Sequence, residues 1–126
     1  MSEPRANIVV VDDDAGMNQA IERLLTAAGF RAVTFSSAEA LLEAGTVHLA
    51  SCLVLDIHLP GLSGFELKRR LVQTGTHTPV IFITAYDDPE SQAEARESGA
   101  IAYFIKPFAG KTLLTAITRA LEPKMT

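Results

Sequence analysis

Tryptophan is absent from this sequence, and cysteine occurs once, at Cys52. A single thiol excludes an internal disulfide. Its place in an apolar run suits a small buried hydrophobe better than a reactive group. No apolar run approaches the roughly 20 residues of a membrane-spanning helix. The opening Met1-Ser2-Glu3-Pro4-Arg5 has no apolar signal-peptide core. These absences predict a cytoplasmic protein with no membrane contact. Positive charge is also in deficit: 11 Lys and Arg stand against 15 Asp and Glu, a net charge of −4. Nucleic-acid phosphates are bound by clustered cations, so direct nucleic-acid binding is disfavoured. The one basic run, Lys68-Arg69-Arg70, falls on a predicted helix beside Glu66 and reads as a solvated face.

Repeats, low-complexity stretches and linkers are missing too. The 126 residues fit one domain, with its core over residues 6–122. A chain of this size buries roughly two-thirds of its unfolded surface, enough for a core without staples.

What is present is alternation. Five short apolar runs read as strands: Ile8–Val11, Ala32–Phe35, Cys52–Leu55, Val80–Ile83 and Ile101–Ile105. The first, third and fourth are apolar on both faces, as in a parallel sheet covered on both sides, and the second is the weakest. Helical patterns separate them, which predicts an α/β sandwich. The first helix carries a stripe of Met17, Ala20, Ile21, Leu24, Leu25 and Ala28, followed by Gly29 as a left-handed cap. Ser36-Ser37-Ala38-Glu39 and Ser63-Gly64-Phe65-Glu66 both read as capping boxes. Asp88-Pro89 opens the fourth helix, whose apolar content between Pro89 and Gly99 is only Ala93 and Ala95, so it packs weakly. The fifth presents Leu113, Leu114, Ile117 and Leu121, with Pro123 just past its end.

The chemistry lies at the strand ends. Strand one runs into Asp12-Asp13-Asp14, strand three into Asp56, strand four into Thr84 and strand five into Lys106. Open parallel sheets bind ligands outside the carboxyl ends of their strands. Carboxylates converging at ~5 Å repel by roughly 3 kcal/mol per pair at an effective dielectric of 20. Such a group is stable only with protonation or a bound cation, and hard oxygens without His or Cys select Mg²⁺ or Mn²⁺. A cation, an ammonium and a hydroxyl around a carboxylate suit a transferring phosphoryl group. A carboxylate nucleophile would yield an acyl phosphate. His48 and His77 fall away from this edge.

The order and spacing of Val11-Asp12-Asp13, Leu55-Asp56 with Pro60 and Gly64, Ile83-Thr84-Ala85 and Lys106-Pro107-Phe108 carry a resemblance. Over nearly its whole length the chain resembles the receiver domain of bacterial two-component response regulators. The stretch Phe35–Leu42 is most similar to the branch of nitrogen-fixation and LuxR-type transcription regulators. The resemblance implies a flavodoxin-like, doubly wound five-stranded parallel sheet of order 2-1-3-4-5 with five helices. It implies that Asp56 accepts a phosphoryl group from a sensor histidine kinase or phosphotransfer protein. Asp13 would be a direct Mg²⁺ ligand, Asp12 would support the metal partly through water, and the His58 backbone carbonyl would be a further ligand. Thr84 and Lys106 would bind phosphoryl oxygens, Tyr103 would be the switch aromatic, and the Lys106–Pro107 bond would be cis. Asp14 is assigned a minor electrostatic role. His58 and Tyr86 occupy positions flanking the path of attacking water, and their bulk would lengthen the life of phospho-Asp56. The fourth helix, fifth strand and fifth helix would form the responding face, with a phosphorylated homodimer through it.

Rival readings are weaker. A haloacid-dehalogenase-type phosphatase needs a second Asp where His58 stands, and a nucleotide-sugar enzyme lacks any Gly-rich phosphate loop here. The serious alternative is a degenerate receiver acting as a phosphorylation-independent interaction module. The intact acidic set, Thr84 and Lys106 count against it. The expected protein is thus a phosphoacceptor that assists its own phosphorylation and dephosphorylation, and no enzyme in its own right. Whether an output domain follows Lys124 in the parent protein is left open.

Overall fold

The computed structural model describes residues 6–122. Pro123 and Lys124, like the first five residues, lie outside them. Five strands form one parallel sheet: β1 (Asn7–Val11), β2 (Arg31–Phe35), β3 (Cys52–Asp56), β4 (Val80–Thr84) and β5 (Ala102–Ile105), in the order β2-β1-β3-β4-β5. Four helices connect them, α1 (Ala15–Ala27), α2 (Ala38–Ala44), α3 (Gly64–Gln73) and α4 (Pro89–Glu97), and α5 (Gly110–Leu121) follows β5. A short 3-10 turn at Val47–Leu49 precedes β3. No described helix is long and apolar enough to cross a membrane.

Side chains alternate across each strand, so the two faces of the central strands feed two cores. Ile8, Val10, Cys52, Val54, Ile81 and Ile83 meet Ile21 and Leu25 of α1 and Leu113 and Ile117 of α5. Val9, Val11, Leu53, Leu55 and Phe82 meet α2 and α3 on the other face, chiefly through Leu41, Phe65, Leu67 and Leu71. The rings of Phe65 and Phe82 pack edge to face at 4.7 Å. Burial pushes the Cys52 thiol up to about 12, consistent with a packing role. The weak strand β2 is an edge strand with Arg31 and Val33 exposed.

Several local expectations are corrected. Ala20 of α1 and Ala28 at its C-terminal cap are exposed, and Asn18 is buried. Glu39 does not close a capping box on Ser36. The cap of α2 is Ser37, whose hydroxyl takes the Ala40 amide at 3.0 Å, and Glu39 reaches another element. The box of α3 is complete: Ser63 and Glu66 satisfy each other's amides. Gly29 adopts φ 93°, as a C-terminal cap requires.

The weak packing of α4 is borne out, since only Ser91 and Ala95 are buried along it. The basic run on α3 is more than a solvated face. Lys68 donates to the Ser98 carbonyl at the end of α4, and Arg69 pairs with Glu94 at 3.0 Å. Polar ties thus join α4 to α3 where apolar contact is thin.

Candidate functional site

Strand register brings the acidic residues together. Val11 lies beside Leu55 in the β1–β3 ladder, so Asp12 and Asp56 leave the sheet side by side. The Asp12 amide continues the β1–β2 ladder by donating to the Phe35 carbonyl at 3.1 Å. Thr84 ends β4, and the Lys106 amide donates to its carbonyl at 2.7 Å, which brings the lysine to the same edge. The Lys106–Pro107 bond is cis.

Four predicted residues converge. Carboxylate oxygens of Asp12, Asp13 and Asp56 all lie within 4.8 Å of one another. Lys106 Nζ donates to Asp12 Oδ2 at 2.7 Å and to Asp56 Oδ2 at 3.0 Å. Asp12 is wholly buried and Asp56 is 5% exposed, whereas Asp13 is open to solvent. Burial pushes the Asp12 carboxyl above the ordinary range, against the pull of Lys106 and the Asp14 amide. Burial also opposes the charge of Lys106, but its bonds to Asp12 and Asp56 outweigh this and hold its pKa above the usual lysine range. Three carboxylates facing one ammonium leave two negative charges uncompensated. All the donors are hard oxygens, so a divalent cation such as Mg²⁺ fits both the charge and the ligand type.

The remaining predicted residues lie on the strands and loops around this edge of the sheet, and only some of them touch the cluster. The Asp56 Oδ1 atom accepts the His58 amide at 2.8 Å, which fixes the carboxylate and turns the following loop over it. Gly64 explains its own spacing from Asp56: an added Cβ would lie 2.5 Å from the Asp56 carbonyl oxygen. Thr84 is buried, and its hydroxyl is engaged away from Asp56. It donates to the Tyr86 carbonyl at 2.8 Å and accepts the Tyr86 amide at 3.0 Å. The Tyr103 hydroxyl donates to Asp87 Oδ1 at 3.3 Å, so Thr84 and Tyr103 both hold the loop between β4 and α4. His58 and Tyr86, from different loops, meet edge to face at 5.7 Å. Tyr86 is 71% exposed.

Asp14 has a plainer part than the one expected of it. Its Oδ1 atom accepts the Gly16 and Met17 amides at 2.8 and 3.2 Å, making it the N-cap of α1. An Asp directly before a helical stripe is itself a cap signal. Asn18 was not singled out from the sequence. Its buried amide donates to the Asp12 carbonyl at 2.7 Å and to the Phe35 carbonyl at 3.3 Å, tying α1 to the ends of β1 and β2. His48 and His77 are exposed at the opposite edge, before β3 and β4. A cleft of about 780 Å³ lies between β5 and α5, lined by Phe104, Lys111 and Arg119. None of Asp12, Asp13 and Asp56 lines it.

Comparison with known proteins agrees with this geometry. The family described as response regulator receiver domain matches residues 8–118. Nodulation protein W of Bradyrhizobium diazoefficiens is 37% identical over 118 residues, covering 94% of this chain and 52% of that protein. Transcriptional regulatory protein FixJ of the same organism is 34% identical over 118 residues, 94% of this chain and 58% of its own length. The chain thus spans little more than half of these relatives. Among solved structures, the BeF3-activated receiver domain of DrrB superposes with a TM-score of 0.86 at 34% identity, covering 95% of this chain and all of that one. The strand order, the acidic edge and these likenesses agree, and the chain belongs to the response regulator receiver family.

Proposed function

We propose that Asp56 is a phosphoacceptor, charged by a sensor histidine kinase or phosphotransfer protein. The observation that carries this is the Lys106 ammonium bridging Asp12 and Asp56 beside the open Asp13 carboxylate. In the reaction an Asp56 oxygen attacks phosphorus, the bond from phosphorus to the donor's imidazole nitrogen breaks, and the imidazole leaves. The product is an acyl phosphate.

Asp13, Asp56 and the His58 carbonyl would hold Mg²⁺ or Mn²⁺, with Asp12 supporting it partly through water, and the cation would supply positive charge to the phosphoryl oxygens. The His58 amide holds one Asp56 oxygen in place. Lys106, already on the other oxygen, transfers its hydrogen bond to the new phosphoryl group. Thr84 is the second donor, and its hydroxyl must leave the Tyr86 carbonyl to act. That exchange loosens the loop after β4, on which the Tyr103 hydroxyl also rests. Tyr103 then turns inward, and the face of α4, β5 and α5 is remodelled. This is a population shift driven by contacts made only in the phosphorylated form. α4 is suited to move because its apolar burial is small. The same face is the proposed site of a phosphorylated homodimer.

His58 and Tyr86, which meet edge to face, are on this reading the residues that shield phospho-Asp56 from water and lengthen its lifetime. On this reading the chain assists its own phosphorylation and dephosphorylation and is no enzyme toward other substrates. Residues 6–122 act as one receiver unit. Incubation with Mg²⁺ and a small phosphodonor, followed by intact-mass measurement, tests the reading. The expected gain is one phosphoryl group, absent in Asp56→Asn and in chelator. A protein that gains no mass under these conditions would be the phosphorylation-independent module instead.

A further inference from the structure

The loop from Ile57 to Ser63 carries His58, whose carbonyl is the proposed metal ligand, and ends at the cap of α3. Its two ends are well anchored. Ile57 donates to the Ile83 carbonyl at 3.1 Å, the Gly64 amide returns to the Ile57 carbonyl at 3.2 Å, and Ile57 and Leu59 are buried. The middle, Pro60-Gly61-Leu62, is exposed or half-buried. Among the described residues one hydrogen bond ties that middle to another element: Leu62 donates its amide to Glu39 Oε2 at 2.9 Å, across from α2.

The contact is built on both sides. Gly61 has φ 77°, and the space that a Cβ would take there is filled by the Glu39 carboxylate. Glu39 lies in the first turn of α2, where backbone amides and the helix dipole favour an anion. Its carboxyl is held below the ordinary glutamate range, first by the Leu62 amide, then by its own backbone amide, with a lesser pull from Arg70 of α3. Local sequence offers Glu39 a capping box with Ser36, and the chain uses it on the loop instead.

We infer that Glu39 is a positioning residue for the divalent cation: it fixes the loop that presents the His58 carbonyl, and so sets metal affinity from a neighbouring helix. This rests on the metal reading of the site given above. Glu39 touches neither the cation nor the phosphoryl group, and its effect passes through Leu62, Gly61 and Pro60. Groups that orient metal ligands typically change affinity by about tenfold or more when removed.

The test is a calorimetric Mg²⁺ titration of the wild type, E39A, E39Q and S37A, each with its melting temperature. E39A is expected to weaken Mg²⁺ binding by about tenfold, the low end of such outer contacts. E39Q keeps an oxygen that can accept the Leu62 amide and should stay close to wild type. S37A removes the cap of α2 without touching the loop, so it should lower the melting temperature and leave affinity unchanged. Wild-type affinity in E39A would overturn the inference. Equal weakening in E39A and E39Q would overturn it too, by assigning the effect to charge. So would weakening in S37A that matches E39A, which would assign it to loss of α2. A wild type that binds no Mg²⁺ would overturn the metal reading itself, a result distinct from all of these.

Discussion

Replacing Gly64 by Ala probes the link between packing and the site. The added Cβ would meet the Asp56 carbonyl oxygen at 2.5 Å, the Ile57 Cα at 3.0 Å and the Asp56 carbonyl carbon at 3.1 Å. All three are backbone atoms, so no side chain can swing aside. Ordinary contact begins near 3.4 Å, and about 0.9 Å of relief is needed against the carbonyl oxygen. α3 must move away from β3, or the end of β3 must shift. Overpacking of this kind costs about 1–3 kcal/mol. Alanine recovers at most about 1 kcal/mol of helix propensity, and less at the first helical position. The net loss is about 1.5 kcal/mol, a fall in Tm of roughly 6 °C for a domain of this size. Misplacing a reacting group by nearly 1 Å can cost about a hundredfold in rate. A Gly45→Ala control separates the effects. Gly45 has φ 67° with nothing within 4 Å of an added Cβ, so it carries backbone strain of about 1–2 kcal/mol and no clash. Thermal melts and phosphorylation by a small phosphodonor are the assays. Gly64→Ala should slow phosphorylation sharply and Gly45→Ala should not. Equal rates in the two variants would refute the reasoning.

Three further outcomes follow from the same geometry. His58→Asn combined with Tyr86→Ala should speed loss of the phosphoryl group by up to about tenfold, since an edge-to-face pair is worth about 0.5–1.5 kcal/mol. Unchanged decay, followed by intact mass after donor removal, would contradict the shielding role. Asp88 caps α4 through the Ser91 amide and hydroxyl, which hold its carboxyl below the ordinary aspartate range. Its contribution is therefore present above the ordinary aspartate pKa and is lost as pH falls through the depressed one. Protection of the α4 amides, taken as exchange relative to the intrinsic rate at each pH, should fall on acidification in the wild type, and in Asp88→Ala it should already be low at neutral pH with less acid dependence. Cys52, with its thiol pushed up to about 12, should resist alkylation in the folded protein at neutral pH and react once urea unfolds it.

Features with a short period or a fixed local offset were legible in the sequence. Strand runs such as Val80–Ile83, the Ser63–Glu66 box and the Asp88-Pro89 start are set by neighbours, and each stands where its pattern placed it. The acidic edge was legible because parallel strands deliver their carboxyl ends to one side, whatever loops lie between. Partnerships between distant elements were not. Ser36 and Glu39 satisfy a local rule, yet the amide of Leu62 competes for the carboxylate and wins. Asn18 sits within an apolar stripe and is buried because the Asp12 carbonyl takes its amide, which also reaches the Phe35 carbonyl. Lys68 and Arg69 look like surface charge until α4 is placed beside them. Asp14 was legible in principle, but its place in an acidic triplet masked its role as a cap.

The most direct test of the account is the chemical identity of the phosphorylated side chain. Protein treated with Mg²⁺ and a small phosphodonor is reduced with borohydride, which converts an aspartyl phosphate to homoserine, and the peptides are sequenced by mass spectrometry. The account predicts homoserine at position 56 alone. Its absence, or its appearance at Asp12 or Asp13, would contradict the claim that Asp56 is the nucleophile.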